Sequence, residues 1–183
     1  HISIASLGEE IKNKTIVVNG LSKSYAMTGW RIGYAAGPVE IIKTMTKIQS
    51  QSTSNPTSIA QKAAVAALRG PQDCVDNMRK EFENRRNYLI DGLNNINGIS
   101  CKLPKGAFYA FPNIKNTLNK KTLNVQINSS MDLSLYLLEK SLVALVPGSA
   151  FGAEGYIRIS YATSMENLKK GIERIKEAVE SLK

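Results

Sequence analysis

Lys23 and Arg31 are the residues of this sequence whose types and spacing could do chemistry. Lys23 follows a short β-branched run, residues 15–18, and the turn pair Asn19-Gly20, and it is flanked by Ser22 and Ser24. A lysine at the end of a buried strand is expected to be partly desolvated, which disfavours its ammonium form and frees the amine to attack a carbonyl carbon. Eight residues further on, Arg31 stands at the edge of the next apolar run, with Thr28 between them. An amine with a guanidinium and hydroxyls nearby suits an aldehyde that carries a phosphate. On residue types alone, a surface lysine in a polar turn and an ordinary arginine are the simpler account. Ser22-Lys23-Ser24 resembles the end of a phosphate-cradling glycine loop, but that loop needs glycine at position 22 and again five residues earlier, where Ser22 and Val17 stand.

Other chemistries find little support. His1 is the only histidine, and Cys74 and Cys101 are isolated, so neither a catalytic histidine nor a metal-ligand spacing is present. Two such thiols suggest a reducing compartment, the cytoplasm. The apolar runs are too short to cross a bilayer. The formal net charge of +9 raises the question of a nucleic-acid partner. Yet the basic residues are scattered, and in residues 79–86 they alternate with Glu81 and Glu83 as on a solvated helix face, with no aromatic interleaving for base stacking. No nucleic-acid partner is therefore expected. The chain opens at His1 inside an apolar segment, which reads as a cut from a longer protein.

The elements that must position Lys23 and Arg31 follow from hydrophobic periodicity. Residues 15–18 and 31–36 read as strands, the second closed by Gly37-Pro38. Pro38 opens a helix with Ile41, Met45 and Ile48 on one face, and an alanine-rich helix covers 57–68. Val75, Met78, Phe82, Leu89, Leu93 and Ile96 recur at helical spacing through a long helix over 71–96. Strands are expected at 99–103, 107–111, 142–146 and 156–161, and a helix at 131–140 with Leu133, Leu137 and Leu138 on one side. Residues 115–128 are polar and read as a surface loop or insertion. Thr163 and Glu166 suggest a capping box for a last helix whose stripe is Leu168, Ile172, Ile175, Val179 and Leu182. The fold class is α/β: a lobe with a mostly parallel sheet over 1–70, a connecting helix over 71–96, and a smaller α+β lobe over 97–183.

The stretch NGLSKSYAMTGWRIGY, residues 19–34, followed by Ala35-Ala36-Gly37-Pro38, resembles the lysine signature of class I aminotransferases of the aspartate aminotransferase type. Gly20, Ser22, Lys23, Ala26, Met27, Gly29, Arg31 and Gly33 all fit it in register. A second stretch, YIRISYATS over 156–164, is similar to the strand that carries the family's substrate arginine, and Arg158 falls on it. Residues 52–56, 104–109 and 146–149 add family-like pieces, and 115–128 is the least similar.

The resemblance implies the C-terminal half of a pyridoxal-phosphate-dependent enzyme, comprising part of the cofactor-binding large domain and the small C-terminal domain. By it, Lys23 forms the Schiff base with pyridoxal 5'-phosphate, Arg31 binds the cofactor phosphate with a contact from Ser22 or Ser24, and Arg158 takes the substrate α-carboxylate. The reaction implied is transfer of an amino group from an amino acid, aspartate first and an aromatic or other acidic one second, to a 2-oxo acid such as 2-oxoglutarate. One branch of the family grips the side-chain carboxylate with a second arginine near residues 52–57, and none occurs there. The family's acidic partner for the pyridine nitrogen and its stacking aromatic ring fall outside this stretch, so the chain alone is expected to be inactive. The family's sites sit at a dimer interface, which implies a homodimeric parent. The competing readings are a lyase or decarboxylase on the same scaffold and a non-catalytic dimerisation or binding module.

Overall fold

The computed structural model describes residues 1–123 and 125–183, and the chain divides into two compact units, His1–Asn77 and Met78–Lys183. The first opens with a short helix, α1 (Glu9–Lys12), and then forms an antiparallel ribbon of β1 (Val17–Gly20) and β2 (Gly33–Ala36), with Val17 opposite Ala36 and Gly20 opposite Gly33. Parallel pairing needs a crossover of a dozen or more residues, usually a helix. Here the intervening residues 21–32 fold into tight turns and one 3-10 turn, Thr28–Trp30, so the chain doubles back on itself. The parallel order expected of this lobe's sheet is thus not carried by this pair, and every strand pair among the described residues is antiparallel.

The strand expected to be buried at 15–18 begins two residues later and is largely open. Val18 is 76% exposed, because a two-stranded ribbon has little against which to bury its faces. Two helices follow, α2 (Val39–Ser52) and α3 (Ser58–Arg69). Pro38 sits just outside α2 as its cap, and the apolar face read from Ile41, Met45 and Ile48 is present but exposed, with no residue of α2 buried. The Thr57 hydroxyl accepts from the Ala60 N–H to start α3, and Gly70 ends it. The long helix α4 (Asp73–Asn94) follows, its buried residues Leu89, Ile90 and Leu93 at the far end.

The second unit is built on a three-stranded antiparallel sheet. It contains β3 (Tyr109–Ala110), a hairpin of β4 (Lys120–Lys121) and β5 (Gln126–Ile127), α5 (Ser130–Ser141), β6 (Val146–Pro147), β7 (Ile157–Ser160) and α6 (Met165–Glu180). The sheet order is β3-β7-β6, with β7 central. Ile157 and Ile159 point inward and are buried with Tyr161, Leu89 and Leu93 of α4, Leu133 and Leu137 of α5, and Ile175 and Val179 of α6. Each such apolar side chain contributes about 1.5–3 kcal/mol of burial.

Several expectations shift. The strand read at 99–103 reduces to a single bridge between Ser100 and Asn113. The surface loop read at 115–128 holds the β4–β5 hairpin, with Ile127 fully buried, and residue 124 within it lies outside the described residues. Lys121 and Lys183 exchange two backbone hydrogen bonds of 2.9 Å, which add a rung beside that hairpin. Leu138 is exposed, since α5 turns Leu133, Tyr136 and Leu137 to the core instead. The cap of α6 is Ser164, not Thr163, because a cap bonds the N–H three residues on, and it is Ser164 Oγ that accepts from Asn167 at 3.1 Å.

Glu154 fastens the start of α5 to the approach of β7. Its carboxylate accepts from the Ser130 N–H at 2.5 Å, the Ser130 hydroxyl at 3.2 Å and the Gly155 N–H at 3.0 Å. The Ser130 and Gly155 N–H groups hold its acidity stronger than that of an ordinary carboxyl. A carboxylate whose pKa is lowered on folding stabilises the fold above its unfolded pKa, about 4.3, and this contribution is lost as pH falls through the lower folded value. We therefore expect Glu154→Gln to lower the thermal midpoint at pH 7. The gap to the wild type should close as pH is lowered through and below about 4, followed by circular dichroism.

Candidate active site

The sequence-predicted residues of the first unit all lie on the connection between β1 and β2. Three apolar side chains fix that connection: Leu21 (1% exposed), Met27 (8%) and Ile32 (9%) pack with Ala60 and Ala64 of α3, and Tyr25, Ala63 and Ala67 close the cluster. The Tyr25 hydroxyl donates to Gln72 Oε1 at 2.8 Å, and Gln72 in turn donates to the carbonyls of Ala67 and Gly70 just before it. With these anchors turned inward, the residues between them are forced outward. Lys23, Ser24 and Arg31 are exposed and Ser22 is half-buried. Lys23 is therefore not desolvated within this chain as the sequence suggested, because the ribbon preceding it is open to solvent.

Local hydrogen bonds brace the turn from within. The Thr28 hydroxyl donates to the Ser22 carbonyl at 2.9 Å, and Arg31 Nη1 donates to the Thr28 carbonyl at 2.9 Å. Arg31 does not open the second strand as expected. It closes the 3-10 turn in the left-handed region, with φ +51°, and β2 starts at Gly33. A non-glycine residue costs about 1–2 kcal/mol there. A hollow of about 700 Å³ adjoins it, lined by Trp30, Arg31, Asn55, Thr57 and Ile59 among others. An amine, a guanidinium and hydroxyls exposed on one connection form a donor set able to hold an aldehyde and a phosphate on the same molecule.

Arg158 lies in the second unit, on the outward face of β7 between the buried Ile157 and Ile159. Its guanidinium carbon is 4.4 Å from the centroid of the Tyr109 ring and 4.8 Å from that of Phe151. Among the described residues no acceptor takes a hydrogen bond from this guanidinium, and it has no ion pair. Arg79, Arg85 and Arg86 differ, each bonded to a glutamate on α4. A half-buried planar cation with its donors in reserve can take a carboxylate in a two-pronged grip. Sequence reading passed over Tyr109 and Phe151. The available signal was an aromatic residue at the end of one family-like segment, 104–109, on the strand beside Arg158, and another two residues past the segment 146–149.

The described residues contain no group of histidine, cysteine or acidic side chains able to hold a metal ion.

Comparison with known proteins fits this geometry. The family model for aminotransferase class I and II matches residues 1–175. The aspartate aminotransferase of Rhizobium meliloti (strain 1021) is 50% identical over 182 residues, covering 99% of this chain and 44% of that protein. The aspartate/prephenate aminotransferase of Nitrosomonas europaea is 51% identical over 176 residues, covering 95% and 44%. A crystal structure of the Rhizobium meliloti aspartate aminotransferase superposes with TM-score 0.94 at 49% identity, over 100% of this chain and 46% of that one. The aromatic aminotransferase of Pyrococcus horikoshii OT3 gives 0.85 at 42%, over 98% and 46%. The chain belongs to the class I and II aminotransferases. Members of the aspartate aminotransferase type use pyridoxal phosphate. The chain spans less than half the length of the curated relatives it matches.

The anchoring of the connection is open to a direct check. Leu21→Ala should destabilise the first unit by about 3 kcal/mol, the usual cost of emptying a buried leucine site, read as a lower denaturant midpoint.

Proposed function

We propose that this chain carries the lysine and arginine determinants of a pyridoxal-phosphate-dependent aminotransferase that moves an amino group from aspartate to 2-oxoglutarate. The observation that most favours it is the presence in one chain, about half identical to aspartate aminotransferases, of the Lys23–Arg31 connection and of an uncommitted Arg158. The donor set fits the cofactor: Lys23 Nζ for its aldehyde, and Arg31 with the Ser22 hydroxyl for its phosphate. When bound, the cofactor serves as the electron sink for the substrate's Cα. Lys23 Nζ takes the proton released at that Cα and holds it for return, so one amine serves as base and then as acid. Arg31 matches phosphate geometry through its planar fork. Arg158 grips the α-carboxylate and thereby aims the Cα–H bond, a gain by orientation.

The exposed apolar side chains of α2, with Val39, Ile41, Met45 and Ile48 among them, support a reading in which this face is covered in a homodimeric enzyme. The free thiols Cys74 and Cys101 support a cytoplasmic setting, and no helix among the described residues is long and apolar enough to cross a membrane. The openness of Lys23 supports an inactive isolated chain, since electrostatic catalysis needs water excluded from the site.

Two measurements test this reading. Borohydride reduction of the chain after addition of pyridoxal phosphate, with peptide mapping by mass spectrometry, should place the label at Lys23 and lose it in Lys23→Ala. Labelling spread evenly over the surface lysines would count against the assignment. Transamination of aspartate by the 183-residue chain should be undetectable. Turnover near that of a full-length relative would show that this chain alone holds a complete site.

A further inference from the structure

We infer that Tyr109 and Phe151 are positioning residues for substrate binding: their rings hold the Arg158 guanidinium in place while leaving its hydrogen-bond donors free for the α-carboxylate. The inference rests on the reading of Arg158 given above and concerns how that arginine is held. A long, flexible arginine side chain loses rotamer entropy when it is ordered. An acidic neighbour would order it, but would occupy the same in-plane N–H groups that a substrate needs. An aromatic face attracts the cation without taking a hydrogen bond. The two rings at 4.4 and 4.8 Å therefore fix the guanidinium with its fork unoccupied. Ordering before the ligand arrives lowers the cost of binding.

The surroundings support a built arrangement. Tyr109 stands opposite Ser160 in the β3–β7 register, one position along the same outward face as Arg158. Phe151 ends the 3-10 turn that begins at Gly148. That turn lies directly on the start of β7: the Gly148 N–H donates to the Tyr156 carbonyl at 2.8 Å, and a Cβ at Gly148 would collide with the carbonyl oxygens of Ala153 and Tyr156. Phe111 braces Phe151 edge-on, with centroids 6.0 Å apart at 81°, and stacks on Tyr156 at 5.2 Å. Phe151 is nevertheless 49% exposed, so it is not a core ring whose presence packing alone explains.

The test is kinetic, in the full-length holoenzyme. Phe151→Leu and Tyr109→Leu, made separately, should each raise KM for the amino acid and for the 2-oxo acid about tenfold while kcat moves less than about threefold. Phe151→Tyr and Tyr109→Phe keep a ring and should stay within about twofold of wild type, a rescue that a purely structural role would not require. Arg158→Lys serves as the reference and should raise both KM values. If it does so while the leucine variants leave KM unchanged, the positioning role is overturned and the carboxylate role of Arg158 stands. If Arg158→Lys itself leaves KM unchanged, both fall. Should a leucine variant not fold, the Arg158 Hε proton resonance of the wild-type chain decides. An upfield ring-current shift supports the arrangement, and the position of free arginine overturns it.

Discussion

Ser22, Arg31 and Arg158 each have a buried residue as an immediate neighbour in the chain, and Lys23 lies two residues beyond one. Leu21 is buried, and Ser22 and Lys23 follow it outward; Ile32 is buried, and Arg31 precedes it outward; Ile157 and Ile159 are buried, and Arg158 stands between them. Successive side chains of an extended backbone point to opposite faces, as around Arg158, and in the turn the buried anchors leave the residues between them outside. Burying the apolar member of each pair therefore sets where the polar member points. The free energy comes from the apolar residue and the geometry from the backbone, so the site needs no separate scaffold. The outward direction of Lys23 and Arg31 follows from the packing of Leu21, Met27 and Ile32 on α3.

Much of this was legible in the sequence, and the parts that were not share a cause. The five longer helices fall close to where periodicity and caps place them, because a helix stripe and its terminators are local signals. Strands fared less well. Residues 99–103 are apolar enough for a strand, yet only Ser100 finds a partner. Residues 115–128 are polar enough for a loop, yet Ile127 fills the core through the β4–β5 hairpin. Pairing is a property of two distant segments, and composition of either one does not report it. The site showed the same division. Lys23, Arg31 and Arg158 were found from family motifs, whereas the exposure of Lys23, the left-handed backbone of Arg31 and the rings around Arg158 depend on tertiary placement.

The arginines illustrate how context separates residues that composition treats alike. Along α4, Arg79, Arg85 and Arg86 meet glutamates one helical turn away, the first pair exposed and the other two with a half-buried arginine, and pairs at this spacing on a helix surface contribute little to stability. Arg86 also donates to the Pro104 carbonyl, tying the helix to the segment that leads into β3. Arg158 is held by aromatic faces instead. Paired arginines along α4 and an arginine held by rings count alike in the formal charge, and the total of +9 does not tell them apart.

The left-handed backbone at Arg31 sets stability and chemistry in opposition at a single position. Glycine would occupy φ +51° without strain, so selection for folding alone would favour it there. Under the proposed function, arginine at this point holds the turn slightly above its lowest free energy in exchange for a cation on the same connection as Lys23, a trade-off of stability against activity. A search for stabilising substitutions in this chain would be drawn to position 31 and would remove a cation that the proposed chemistry requires.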